Sequence, residues 1–204
     1  MTRGSGPRAA RPPSARGAVL AALLVLLPGA ALAQSFESRM AACLACHGPG
    51  GESSIPGTPS LGGQPSFFVV TQLFLFREGR RDNAAMTAVA RTLTNDDLRA
   101  FADAIAKLPP PRPPTPPPDP ARFARGRALA ERKICGACHN ADYSGREQMA
   151  RLANQREEYL LETMRGFKSG TRIGYGPAMS EALVGLSDEA LRDIAHYLAH
   201  LPRP

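Results

Sequence analysis

Apolar residues at Leu98, Phe101, Ala102, Ile105 and Leu108 fall at i, i+3, i+4, i+7 spacing within "LTNDDLRAFADAIAKLP" (93–109). That rhythm predicts an amphipathic helix with one buried face. The rhythm returns at Leu191, Ile194, Ala195 and Leu198 within "LSDEALRDIAHYLAHLP" (186–202). Thr94 and Ser187 stand where N-caps belong, with acids in the turn that follows, and Pro109 and Pro202 stop the two helices. No run carries the two-residue alternation of a half-buried strand, so the class predicted is all-α.

The two helices close two copies of one unit. "LGGQPSFFVVTQLFLFREGRRDNAAM" (61–86) aligns with "LANQREEYLLETMRGFKSGTRIGYGPAM" (152–179). Gln64 pairs with Gln155, Phe68 with Tyr159, Phe76 with Phe167, Gly79 with Gly170 and Arg81 with Arg172, each 91 positions on. Two residues then enter the second copy, so that Met86 pairs with Met179 and Leu93 with Leu186 at a spacing of 93. Between the copies lies "PPPRPPTPPPDP" (109–120), nine prolines in twelve residues. Such a segment runs as polyproline II, spanning about 37 Å at ~3.1 Å per residue if extended, or folds back along the surface. The domains expected are 34–108 and 121–204, with 109–120 as linker. Each is small for a self-sufficient apolar core.

Each copy opens on the same five-residue pattern. "CLACH" (43–47) and "CGACH" (135–139) use all four cysteines of the chain. Two thiols three positions apart reach the two vinyl groups on one haem edge as thioethers, and the next residue aims its imidazole at the iron. C-x-x-C-H is the c-type haem attachment signature. A disulfide pair, a thioredoxin-like thiol pair or a zinc knuckle each uses the cysteines but leaves the two histidines unexplained. The expected cofactors are therefore two covalently attached haem c groups, on Cys43 and Cys46 and on Cys135 and Cys138, with His47 and His139 as axial ligands.

The opposite face of each iron needs a ligand too. Met40 sits on the approach helix, Met164 aligns with Leu73 in an apolar helical stretch, and Met149 has no counterpart methionine. Met86 and Met179 occupy equivalent positions, 39 and 40 residues after His47 and His139. They are the expected sixth ligands, since His/Met is a standard haem c pair. His196 and His200, one turn apart, fall off the apolar stripe and read as surface residues rather than a metal pair. Arg81 and Arg172 recur at matched positions, where haem propionates or solvent are their candidate partners.

Charge adds an address. Residues 1–33 carry Arg3, Arg8, Arg11 and Arg16, the apolar run "AVLAALLVLL" (18–27), and small residues ending Ala31-Leu32-Ala33. That is the pattern of a cleavable export signal, too short and too interrupted by Pro28 for a membrane span. The chain has net charge +7, from 25 basic and 18 acidic residues. Without the four arginines of the signal it is +3 (21 − 18), too mild to imply a nucleic-acid partner. The expected location is the periplasm.

The order of these motifs, "CLACHGPGG", "LGGQPSFFVVTQLFLFREGRR", Met86 followed by "LTNDDL", and their second-half partners, resembles cytochrome c4, the dihaem, two-domain class I cytochromes c. The resemblance covers nearly the whole chain after residue 33. It implies two tandem cytochrome c domains, each wrapped around one covalently bound haem with His/Met ligands, relaying electrons between respiratory partners. Those partners are redox proteins (oxidase, reductase or dehydrogenase) that dock transiently, in some settings at a membrane complex. An alternative is a dihaem electron-accepting subunit of a dehydrogenase complex. A haem enzyme such as a peroxidase needs an iron that loses its distal ligand, and a cysteine-ligated thiosulfate-oxidising haem needs a fifth cysteine. An electron-transfer protein is therefore expected, not an enzyme.

Three departures stand out. The proline linker is long for two haems that face each other closely. In the first copy a carbonyl near Pro59 is placed to orient the His47 ring, whereas the second has "ARL" (150–152) and no proline, so His139 is expected to be oriented otherwise. Tyr197 stands where the first copy has Ala104, which predicts pockets that differ in packing.

Overall fold

The computed structural model describes residues 35–202, with isolated positions 1, 2, 4, 6 and 9. The export signal expected at 1–33 lies outside the described residues. Residues 36–204 form one compact unit. The described chain is helical, with an isolated two-residue bridge between Arg146 and Met149 as its one β contact. None of its helices is long and apolar enough to cross a membrane.

The first lobe holds α1 (Phe36–His47), α2 (Ser66–Arg77), α3 (Ala84–Ala90) and α4 (Asn95–Ala106). The second holds α5 (Pro120–Arg132), α6 (Cys135–His139), α7 (Glu157–Ser169), α8 (Ala178–Ala182) and α9 (Asp188–Ala199). The closing helices form where the hydrophobic period placed them. The Thr94 side chain accepts from Asp97 N–H while the Asp97 carboxylate accepts from Thr94 N–H, a complete capping box. Ser187 accepts from Ala190 N–H in the same way. The predicted stripe of α4 (Leu98, Phe101, Ala102, Ile105) is buried against Met40, Val69 and Leu73. In the second lobe Leu191, Ile194 and Leu198 pack with Leu160, Met164 and Phe167, so Met164 is a core residue as its alignment with Leu73 implied.

The lobes differ at their entry helices. α5 crosses α9 closely, whereas α1 is shorter on its amino-terminal side and is tied to α4 by side chains. The Phe36 and Phe101 rings stack at 5.1 Å, and Arg39 Nη1 meets Asp97 Oδ1 at 2.7 Å while lying over the Phe101 ring. Tyr197, absent from the first copy, makes edge contacts with Phe123 at 5.0 Å and Tyr143 at 5.8 Å. The packing asymmetry read from Tyr197 and Ala104 is therefore present.

The proline segment is a strap rather than a spacer. Pro111 is buried, and Arg112 donates from its backbone N–H (3.2 Å) and Nε (3.3 Å) to the Glu52 carboxylate. The Pro109 carbonyl rests on Gly62 so tightly that a β-carbon there would stand 2.1 Å from it. At its far end Asp119 N–H donates to His196 Nε2 at 3.0 Å, and the Asp119 side chain caps α5. Pro120 belongs to that helix: its missing N–H is no loss in the first turn.

Candidate functional site

Each C-x-x-C-H pattern is helical. In the first lobe it is the last turn of α1; in the second it is the short α6. None of the four cysteines is in a disulfide; Cys43 and Cys135 are half-buried and Cys46 and Cys138 exposed. Burial pushes the Cys43 and Cys135 thiols above their ordinary pKa. The following histidines turn inward: His47 and His139 are both buried.

His47 Nδ1 lies 2.8 Å from the Pro59 carbonyl oxygen, and His139 Nδ1 lies 2.8 Å from that of Ala150. A carbonyl only accepts, so Nδ1 carries the proton in both rings and the Nε2 lone pair is free. Burial lowers the pKa of both imidazoles, with the hydrogen bond opposing it, and keeps them neutral. The second lobe thus corrects the expectation drawn from its missing proline. The orienting group is a backbone carbonyl, which any residue supplies, and Ala150 sits 91 positions after Pro59.

The methionines sit on the short helices that follow. Met86 is in the first turn of α3, where its backbone N–H donates to the Asn83 cap at 2.9 Å. Met179 is in α8, which Ser180 ties to the Phe167 carbonyl at 2.8 Å. Both side chains are half-buried against the core of their own lobe. Met40 is buried in the first core, in keeping with its position on the approach helix.

A haem fits these residues on grounds internal to the structure. His139 Nε2 is fully buried and has no hydrogen-bond partner in the protein. A buried lone pair left unmet costs roughly 1–3 kcal/mol, and a coordinate bond to a metal removes that cost. Gln72 Nε2 and Arg172 Nε are buried donors that also lack an acceptor, the complement of a haem's anionic carboxylates. Metal-bound imidazoles use the same Nδ1–H contact to a carbonyl, which fixes the tautomer and aims Nε2 at the metal.

Two further features escape the sequence reading. Gln64 and Gln155, matched in the repeat but given no role there, clasp the opposite lobe. Gln64 Oε1 accepts from Arg151 N–H and its Nε2 donates to the Arg151 carbonyl, both at 3.0 Å. Gln155 Oε1 accepts from Ser60 N–H and its Nε2 donates to the Ser60 carbonyl, both at 2.8 Å. Gln155 Oε1 also accepts from Arg156 N–H at 3.0 Å, whereas the residue after Gln64 is Pro65, which has no N–H. Nearby, Arg81 is not solvated. It donates to Gln72 at 2.6 Å and to the hydroxyl of Tyr159, in the other lobe, at 2.8 Å, and it lies over the Phe76 ring. Tyr175 reaches Gln72 from the second lobe as well. Arg172 lies over the Phe167 and Tyr175 rings.

His196 also departs from expectation. It is buried, because α9 packs against both α5 and α7 and has little free face. Its Nε2 accepts from Asp119 N–H, so its Nδ1–H donates to Glu157 Oε2 at 2.8 Å. His200 Nδ1–H donates to the His196 carbonyl at 2.9 Å. Glu157, His196 and His200 lie close enough to hold a metal ion, yet both ring nitrogens of His196 are committed to protein groups. The cluster is a lock between the strap, α7 and α9.

Two helical lobes, each built around a C-x-x-C-H turn with an inward, carbonyl-oriented histidine, define a dihaem class I cytochrome c. The comparisons with known proteins agree. A family model for cytochrome c matches residues 123–202, within the second lobe. The chain is 31% identical over 195 residues to a thiosulfate dehydrogenase electron acceptor from Thiomonas intermedia, covering 91% of this chain and 89% of that one. It is 32% identical over 170 residues to cytochrome c4 of Thiocapsa roseopersicina, covering 78% and 86%. The fold superposes on the cytochrome c4 of Acidithiobacillus ferrooxidans with a TM-score of 0.70 at 25% identity, over 79% of this chain and 99% of that one. The chain belongs to the cytochrome c4 family: it is a dihaem electron-transfer cytochrome carrying two covalent haem c groups.

Proposed function

We propose that the first haem is held by Cys43 and Cys46 with His47 and Met86 as axial ligands, and the second by Cys135 and Cys138 with His139 and Met179. The observation that carries this is the matched pair of buried histidines, each with Nδ1–H given to a carbonyl and Nε2 left free to bind iron. The haem supplies a one-electron redox change at each site. The residues of this chain do the rest: they close both faces of the iron, fix the imidazole tautomer and keep bulk water from the ligands. With no coordination position open, the role is carriage of electrons rather than turnover of a substrate.

The protein is proposed to act in the periplasm, after removal of residues 1–33, taking electrons from a dehydrogenase and passing them to respiratory redox proteins. Similarity over 91% of the chain to a relative named as a thiosulfate dehydrogenase electron acceptor supports a dehydrogenase as donor. A spectroscopic redox titration of the purified holoprotein tests the ligand and carrier readings together. Two low-spin His/Met one-electron centres are the expected result; one haem, or a five-coordinate spectrum, overturns it. Reduction on mixing with a thiosulfate-oxidising dehydrogenase and its substrate tests the donor, and lack of electron uptake from that couple removes it.

A further inference from the structure

The two glutamine clasps each share a peptide group with a candidate axial histidine. The Pro59–Ser60 peptide accepts from His47 Nδ1–H at its carbonyl (2.8 Å) and donates from its N–H to Gln155 Oε1 (2.8 Å). The Ala150–Arg151 peptide accepts from His139 Nδ1–H (2.8 Å) and donates to Gln64 Oε1 (3.0 Å). A chain of histidine, peptide and glutamine is thus built twice, crossing between the lobes in opposite directions. His47, Ser60, Gln155, His139, Arg151 and Gln64 are all buried, so bulk water screens neither chain.

The carbonyl and N–H of one peptide are coupled through the same amide resonance. Engaging the N–H therefore makes the carbonyl a better acceptor, and hydrogen bonds in such a series strengthen one another. A better acceptor draws the Nδ1 proton and leaves more electron density at Nε2, which raises the basicity of the imidazole as a ligand. A more basic axial ligand favours the ferric over the ferrous iron. We infer that Gln155 tunes the potential of the haem in the first lobe and Gln64 that of the haem in the second. Each glutamine is a positioning residue for the iron ligand of the opposite lobe. The inference rests on His47 and His139 being axial ligands, as proposed above. It makes the contact between the lobes a redox determinant: whatever loosens the clasps raises both potentials.

The experiment uses the full holoprotein, with the two haems distinguished by NMR of their methyl groups during a redox titration. Gln155→Leu removes the acceptor from Ser60 N–H. It is expected to shift the one-electron equilibrium of the first-lobe haem roughly two- to five-fold toward reduction, about 18–41 mV at ~59 mV per tenfold, with the second-lobe haem little moved. Gln64→Leu is expected to give the mirror result. In the reduced protein the Nδ1–H resonance of His47 should move upfield in Gln155→Leu alone, and that of His139 in Gln64→Leu alone. Gln155→Glu keeps an acceptor oxygen for Ser60 N–H and should return the first-lobe potential to its starting value or below, which provides a test even where the leucine variants fail to fold. Shifts on the haem of the substituted lobe, equal shifts on both haems, or none at all overturn the inference. Failure of the ligand assignment is a separate result, visible in the spectrum of the unsubstituted protein.

Discussion

Gly126 of α5 lies directly on the carbonyl of Asp193 in α9: a β-carbon at Gly126 would stand 2.0 Å from that oxygen and 2.7 Å from Tyr197 Cβ. The Asp193 carboxylate is buried and accepts from Arg125 Nε at 2.6 Å and Nη2 at 3.2 Å, so the crossing is locked by contact and by charge. Gly126→Ala gains about 1 kcal/mol of helix propensity in α5. The steric cost is larger, because the neighbour is backbone and cannot rotate away; overpacking of this kind costs about 1–3 kcal/mol. The expected outcome is a lower melting temperature for the second lobe, with the α1–α4 contact of the first unaffected. Calorimetry of the holoprotein checks it: a split endotherm supports the expectation, and an unchanged one removes the claim that this contact is tight.

The methionine assignment makes its own prediction. Met86 and Met179 lie in different lobes on equivalent short helices, and each packs against its own core. Met86→Ala and Met179→Ala should each remove about half of the near-infrared sulfur-to-iron band of the oxidised protein, and the double substitution all of it. Met40→Leu and Met164→Leu are volume-conserving core changes, costing less than about 1.5 kcal/mol and leaving that band intact. A band that survives in Met86→Ala places the first-lobe ligand elsewhere.

Much of this architecture is legible in the sequence because it is periodic. The stripe from Leu98 to Ile105, the Thr94 and Ser187 caps and the register of 91 all depend on residue type at fixed spacing, and all recur in the structure. The Ala150 carbonyl leaves no residue-type signature, since every residue has one; only the register, which carries Pro59 to Ala150, points to it. Gln64 and Gln155 are visible as a matched pair, but their partners are backbone groups 87 and 95 positions away, beyond the reach of local pattern. His196 is misread because a stripe argument assigns one buried face to a helix, whereas α9 is packed on two sides, with Leu191 and every residue from Asp193 to Ala199 buried. The strap is half legible: proline content fixes its conformation, but not that Arg112 and Asp119 pin it at either end.

Removal of the cofactor should be more damaging than any single substitution. The first-lobe core consists of Met40, Val69, Leu73, Leu98, Phe101, Ala102 and Ile105, a small cluster for a domain of its size. The buried Nε2 of His139 and the buried donors on Gln72 and Arg172 then face no partner. Protein with all four cysteines changed to alanine, expressed so that no haem is attached, is expected to show reduced helical content by circular dichroism and no cooperative melt. A cooperative native-like transition in that variant would show that the polypeptide alone supplies the core.

Acid stability should follow the paired carboxylates in the first turn of the closing helices. Asp97 is held well below the ordinary carboxylate range by the Arg39 guanidinium, with the Thr94 N–H helping. Asp188, ordinarily near 3.8, is held down to about 2 by Arg165, with Arg192 adding to it. Both pKa values are depressed in the folded state, so the unfolded chain binds the protons first. Stability from these groups is therefore complete above about pH 4 and is lost as pH falls through the folded values. Asp97→Asn should weaken both the capping box and the tie between α1 and α4, a cost of about 1–2 kcal/mol at pH 7. Between pH 7 and pH 2 the gap between the variant and the parent should narrow, since the unfolded parent is protonated at Asp97 by then while the folded parent still resists protonation. Urea melts at the two pH values check this, and a gap between the two proteins that widens as pH falls would reverse the sign of the argument.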